Sequence, residues 1–489
     1  MASGAQQVIA HDMEIMMMRS QTQGITPLPD ISIIEGLLHE YLGRDLYQRY
    51  PIFDPDIFQA IVTTAYDITY PYTRNVAHRA CVFAFIALMC VICQDIVRKY
   101  PFIDGEMCAI NARCLMGEAL NGETSLELAQ AAATLVSVSR LTYYGLLFDY
   151  AKLTFLTIFL LQALHGTLCN SLSVAIHFNS IAGRLVFLLG GHTAPFLGET
   201  SALATREQHA GLQIRNLFWI CYFTDKDLVF RTGLPPAIDD SCCNLSLPPG
   251  YVATLYSIPS IPITTATFVF DIRLCIIKSR IYTLLYSEES LRRPEAETED
   301  VIRHLESTLG SWKRSLPPGA QPASIGLPCS PREIKAPLRL LFTWIEYYHC
   351  ASILHLARSH LSHGDVLRTV AGAYDMPGEL MVPIEASRMT LLQLDHDIQQ
   401  EFLAVQLQCT FQLSLAAITI FWNILHSSES CANDLSLLWR LGSCLDEIQS
   451  NCRLPKSILT HLFDISSYTK ELHRLATSSK TPPPPSSGA

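Results

Sequence analysis

From Ala80 to Cys93 the chain reads ACVFAFIALMCVIC, fourteen residues without a charge, closed by Asp95 and Arg98. A run this apolar has to be covered, yet it falls short of the ~20 residues that a bilayer-crossing helix needs. It is expected to be a helix buried in a large core. Leu153 to Leu164 is shorter and is interrupted by Thr154, Thr157 and Gln162. Met1 to Ser20 carries His11, Asp12 and Glu14, with no positive n-region leading into an apolar stretch, so no signal peptide is visible. The expectation is a soluble intracellular protein with no membrane partner.

Elsewhere the apolar residues step by three and four. Phe178, Ile181, Leu185 and Leu188 share one helix face by this spacing, and so do Leu338, Leu341, Ile345 and Tyr348. Strict alternation is scarce, and the fold class expected is all-α: a large multi-helix domain built as two helical lobes packed together. Breaks fall at Tyr100-Pro101, across the proline-rich stretch Leu234 to Pro262, at Ser315 to Pro337 and at Val370 to Pro383. They suggest a loose arm over 1–30, a front half over 31–249, a back half over 250–476 and a Pro/Ser tail over 477–489. With 49% apolar and 16% charged residues the 489-residue chain cannot be disordered throughout. A net charge of −10, from 35 basic and 45 acidic residues, argues against a surface built to neutralise phosphates.

There is no Walker A sequence, no G-x-G-x-x-G, no G-x-S-x-G and no H-E-x-x-H. The best enzymatic rival for an all-helical chain is an ionisation-type terpene synthase, which needs an aspartate-rich helix to hold magnesium. Asp239-Asp240 lies in a loop beside Pro235-Pro236 and lacks a third carboxylate. His349, His355, His360 and His363 would sit on one helix, but His349 is ~16 Å along the axis from His360, so the four cannot converge on one ion and read as structural. Cys90 and Cys93 form a C-x-x-C pair inside the most apolar run, where thiols behave as small hydrophobes; Cys242 and Cys243 are adjacent, and the remaining cysteines are scattered, which fits a reducing compartment. Asp225, Lys226 and Asp227 read as a local ion pair or capping contact. No catalytic, metal-binding or DNA-binding residue is assigned, and no cofactor is expected.

The most informative segment is Arg206 to Pro248: an amphipathic helix with Leu212, Trp219, Phe223 and Phe230 at helical spacing, stopped by Gly233 and Pro235-Pro236, then a loop. Arg215, Phe218-Trp219, Tyr222 and Asp225, followed by Gly233, Pro235-Pro236, Ile238, Asp239-Asp240 and Leu247-Pro248, resemble the signature of the fungal-specific transcription factor regulatory domain, the middle homology region of fungal zinc-cluster activators. Further stretches are similar to that family in the same order. They are Tyr50-Pro51-Ile52-Phe53 with Phe58, the helix around Gln162, and Ser173 to His192 with its Leu-Gly-x-His stop. Later come Tyr347-Tyr348-His349, Glu385-Ala386-Ser387-Arg388, and Leu415 to Leu425 followed by Asp434-Leu435. The resemblance covers about Ile33 to Leu475. It departs from the family at Ile214-Arg215-Asn216, which stands for an arginine triplet, at Leu234 and Thr193, where the family has arginine, and at Met1 to Arg79, which holds no cysteine for a zinc cluster.

The resemblance implies a nuclear transcriptional regulator, with a cytoplasmic location as the alternative, since no run of three basic residues marks an import signal. It would control a metabolic gene set, with secondary metabolism the favoured one. It would act through association, as a homodimer or a heterodimer with another transcription factor or a coactivator, or through a small-molecule effector, and would reach DNA only indirectly or through a missing N-terminal module. A gene model truncated at its 5′ end is the alternative within the same class. Residues around Trp219 and Pro235-Pro236 serve either an effector pocket or the core, and the core is the expected role.

Overall fold

The three-to-four periodicity folds as expected: in the computed structural model every regular element among the described residues is helical, an all-α multi-helix chain. Described are residues 25–43, 46–67, 69, 72–93, 98–121, 143–169, 171–193, 206–248, 251–256, 266–269, 271–323, 338–362, 381–392, 400–426, 431–451 and 456–480. The chain divides into two compact units, Met1–Phe268 and Val269–Ala489.

The first unit contains α1 (Ile31–Gly43), α2 (Leu46–Arg49), α3 (Pro55–Tyr66), α4 (Tyr72–Ile92), α5 (Gly105–Asn121), α6 (Tyr143–Leu168), α7 (Leu172–Leu188), α8 (Arg206–Thr232) and α9 (Tyr251–Leu255). The uncharged run lies in α4 and just beyond it, and no residue from Ala80 to Cys93 is more than 7% exposed. Asn75–Ile92 is long and apolar enough to cross a membrane, but 83% of that window is buried inside the protein. Against α4 pack α1, α3, α5 and α6, while α6 and α7 both pack against α8. Cys90 and Cys93 are buried there as expected, and burial pushes the Cys90 thiol up to about 12.

The segment Tyr50-Pro51-Ile52-Phe53 makes the turn into α3. Asp54 caps that helix by accepting from the amides of Asp56 and Ile57, with Pro55 in the first turn where a missing N–H costs nothing. Phe53 and Phe58 lie 4.3 Å apart and meet Phe85 of α4 at 5.2 and 4.7 Å, in the tilted and edge-on geometries aromatic rings prefer. Of the expected N-terminal arm, residues 25–30 are tied down: Tyr66 donates to the Pro29 carbonyl and Asn111 to the Thr26 hydroxyl, both at 2.5 Å. Residues 1–24 lie outside the described residues.

The buried face of α7 is not the one its largest residues suggested. Val174, Ala175, Phe178, Ala182, Gly183 and Val186 face inward, while Leu188 is 55% exposed. Gly183 lies against the Ile238 side chain, where a Cβ would sit in ordinary van der Waals contact at 3.6 Å. Periodicity weighs bulky residues and overlooks alanine and glycine at a close approach.

His165, at the end of α6, is buried. Burial, reinforced by Arg113, pulls its imidazole down to about 3 from the ordinary 6.5. Below about pH 6.5 the unfolded chain therefore takes a proton that the folded chain refuses, so this contribution is intact above that pH and is lost as the pH falls toward 3. Unfolding free energies from urea titrations at about pH 7 and about pH 5 should differ by ~2 kcal/mol through this residue, and His165→Gln should remove that part of the pH dependence.

The second unit contains α10 (Ile272–Ile281) running into a π-turn (Tyr282–Tyr286), α11 (Glu295–Arg314), α12 (Leu338–Ser362), α13 (Met381–Leu392), α14 (Gln400–His426), α15 (Ala432–Asn451) and α16 (Lys456–Lys480). α12 is its centre, packed by α10, α11, α13 and α14. Leu341, Ile345 and Tyr348 are buried as their spacing predicted, while the Leu338 side chain lies outside the described residues. Inside this unit Lys278 pairs with Glu346, both 2% exposed, and Gln412 donates to the second carboxylate oxygen at 3.2 Å. Arg388 grips Asp434 through two nitrogens at 2.7 and 2.9 Å, and Asn423 donates to the same carboxylate at 2.7 Å, which joins α13, α14 and α15. Cys409–His426 of α14 is also long and apolar enough to cross a membrane, and half of it is buried. The last helix continues to Lys480, past the expected start of the tail at Thr477, and 481–489 lie outside the described residues.

Candidate functional site

The expected amphipathic helix is not amphipathic. Every residue of α8 from Arg215 to Val229 is buried, including Arg215, Asp225, Lys226 and Asp227 at 1, 5, 2 and 2% exposure. A helix buried on all sides is normally apolar all round, and ionised groups so placed need partners, because an unpaired buried charge costs several kcal/mol. The partners are supplied by the chain that follows. Gly233, in the left-handed conformation at φ +70°, ends α8 with its N–H on the Val229 carbonyl at 2.8 Å. The chain then returns along α8 as a strap, residues 234–248.

Successive turns of α8 bind successive parts of the strap. The Asp225 carboxylate accepts from the Ala237 amide at 2.9 Å and the Ile238 amide at 3.2 Å. Lys226 Nζ donates to the Ile238 carbonyl and lies 3.2 Å from Asp225 and 3.4 Å from Asp240. One turn back, the Tyr222 hydroxyl donates to Asp240 Oδ1 at 3.0 Å. Two turns further back Arg215 donates to the carbonyls of Asn244 and Ser246, and to Gly191 at 3.0 Å in the turn after α7. Its guanidinium also lies over the rings of Phe218 and Trp219, 4.6 and 5.2 Å from their centroids. Asn244 completes the junction by donating its N–H to the His192 carbonyl at 2.7 Å. Gly191 is needed there, since a Cβ would come within 2.9 Å of Ile214 and Val186.

Some of the resembling stretches of the first unit thus meet in space: the stop after α7, the Arg215 to Asp225 face and the strap form one bonded set. Tyr50 to Phe53 joins it through Gln213, whose amide donates to the Ile52 carbonyl at 3.1 Å. Pro235 is exposed and Pro236 half-buried. Asp239 is also exposed and caps the single 3-10 turn Asp240–Cys242 by accepting from the Ser241 amide at 2.8 Å, which holds its carboxyl below the usual range. Burial pushes the Asp225 carboxyl up, with Lys226 and the two strap amides pulling the other way. Lys226 reaches beyond the local pair its neighbours implied, and Asp227 pairs with Arg231 at 2.6 Å. Asn244 and Ser246 were missed because they contribute backbone atoms, for which side-chain patterns carry no signal, and the same holds for the bonds that Gly191 and His192 make within the stop already singled out. Gly233→Ala should cost about 1 kcal/mol, because a Cβ at positive φ is strained; thermal unfolding checks it.

This arrangement binds chain to chain. Among the described residues no set of three or more His, Cys, Asp or Glu side chains could hold a metal ion. His349 is buried with its ring 5.8 Å from Phe411, and His355 lies 3.3 Å from Glu306 of α11. The His360 side chain and His363 lie outside the described residues. Trp219 is fully buried, as the core reading expected. The second unit carries a surface groove of about 840 Å³ between α15 and α16, where Trp439 faces His473 at 5.6 Å.

No family model matches the chain, and no solved structure does. It is similar to an ABC-transporter-regulating transcription factor of Aspergillus fumigatus, 26% identical over 250 residues that make up 46% of this chain and 26% of that protein. A protein of the same description from Aspergillus oryzae is 26% identical over 237 residues, 44% of this chain and 25% of that one. An uncharacterized transcriptional regulatory protein of Schizosaccharomyces pombe is 30% identical over 103 residues, 21% of this chain and 16% of its own length. The matches span about a quarter of the length of the two Aspergillus relatives. These relatives are fungal transcriptional regulators.

Proposed function

We propose that this chain is a transcriptional regulator of the fungal-specific type, a helical body that changes gene output by associating with other molecules. The observation that carries the reading is the convergence of Leu189 to His192, the Arg215 to Asp225 face and the strap to Pro248 into one bonded set. The three similar regulators support it. Stitched from below, the strap offers Leu234, Pro235, Ala237, Asp239 and Ser241 to solvent as an edge of fixed shape, and a fixed edge loses little freedom when a partner docks. The partner is a second copy, another transcription factor or a coactivator in the nucleus, and a small-molecule effector sets the state of the body. The regulated genes are metabolic, with secondary-metabolite production and, since the Aspergillus relatives are described as regulating ABC transporters, ABC-transporter expression as the favoured classes.

Deleting the gene and sequencing the transcriptome is expected to change a restricted set of mRNAs, which the wild-type gene restores and an Asp225→Ala copy does not. A deletion strain with a wild-type mRNA profile in every growth condition tried overturns the proposal. Self-association is tested separately by sedimentation, where a compact 54.5 kDa monomer at micromolar concentration counts against the dimer.

A further inference from the structure

The strap carries one group that its stitching does not use. Cys242 and Cys243 are adjacent and both are free thiols, Cys242 exposed and Cys243 half-buried. Among the described residues Cys242 is the sole exposed thiol, and Cys81, Cys90, Cys93, Cys108, Cys169 and Cys221 of the same unit are buried. The backbone is anchored on both sides of the pair: Asp240 is held by Tyr222 and Lys226, and Asn244 by His192 and Arg215. Between the anchors, the Cys243 amide closes the 3-10 turn on the Asp240 carbonyl at 3.1 Å, and Cys243 leaves it extended, at φ −119° and ψ 139°. The two thiols stand on neighbouring residues of a backbone anchored on both sides, so a ligand that needs both avoids part of the ordering cost.

We propose that Cys242 and Cys243 form a chelating site for trivalent arsenicals. With arsenous acid each thiol displaces one hydroxyl: two As–S bonds form and two As–O bonds break. The two thiol protons leave with those hydroxyls as two waters, the third hydroxyl stays, and arsenic remains trivalent. No electron is transferred. A disulfide would instead need an oxidant and a thiolate, and burial, then Asp240, push the Cys243 thiol up to about 11, which keeps it protonated. Condensation with an arsenic hydroxide consumes the thiol together with its proton. The site adds a ligand class to the strap and does not depend on the chain being a transcriptional regulator.

Trypsin releases the pair on one peptide, Thr232 to Arg273, which contains no other cysteine. Reduced full-length protein treated with phenylarsine oxide, which loses its oxygen as one water on binding two thiols, is expected to carry one arsenical on that peptide. The adduct should survive excess glutathione and be stripped by a dithiol. Cys242→Ser, at an exposed position, and Cys243→Ser should each lose the glutathione-resistant adduct, the former with an unchanged melting temperature. An unlabelled peptide, labelling confined to other cysteines, or an adduct that resists glutathione in Cys242→Ser overturns the proposal.

Discussion

Trp219→Ala should lower the stability of the first unit by ~3–5 kcal/mol, the usual cost of deleting a large buried aromatic side chain. Trp219 is fully buried, edge-on to Phe218 at 5.3 Å and to Tyr222 at 5.6 Å, beneath the Arg215 guanidinium. Its loss removes apolar contact and leaves a cavity that α8, held by the strap on one side, cannot collapse to fill. Arg215 also loses one of the two rings it lies over. Because the chain has two compact units, urea unfolding should be followed with probes that report each one, and the deficit should fall on the transition of Met1–Phe268. A soluble, fully helical variant with an unchanged midpoint would place the ring outside the core.

An effect of similar size is expected in the second unit. Lys278→Met leaves the Glu346 carboxylate, 2% exposed, with Gln412 as its remaining neutral donor. Removing one member of a buried pair typically costs ~3–5 kcal/mol, whereas replacing both by apolar residues of similar volume is often neutral. Lys278→Met combined with Glu346→Leu should therefore recover most of the loss. A double variant as unstable as the sum of its single variants would show that the two groups do not act as a pair.

How far the sequence disclosed these features depended on which atoms do the bonding. The helical class and the burial of Ala80 to Cys93 were legible, because side-chain polarity and spacing decide both. So was the end of α8, where Gly233 and two prolines leave the backbone little choice. The two-faced reading of α8 failed for a physical reason: Asp225, Lys226 and Asp227 read as a local ion pair or capping contact, and that reading does not reveal that the chain beyond Gly233 covers them. The partners of Asp225 and Lys226 are the amides of Ala237 and Ile238, the Ile238 carbonyl and Asp240, beyond the turn. In the second unit Arg388 and Asp434 were both noted within similar stretches, but nothing in their separation of 46 positions indicated that they touch.

The stitched strap also restricts how this sequence can change over generations. Position 226 answers to two acids at once, so an apolar residue arriving there alone strands Asp225 and weakens the hold on Asp240. Descendants should therefore trade positions 225, 226 and 240 as a block, while Leu234 and Asp239, which face water, drift one at a time.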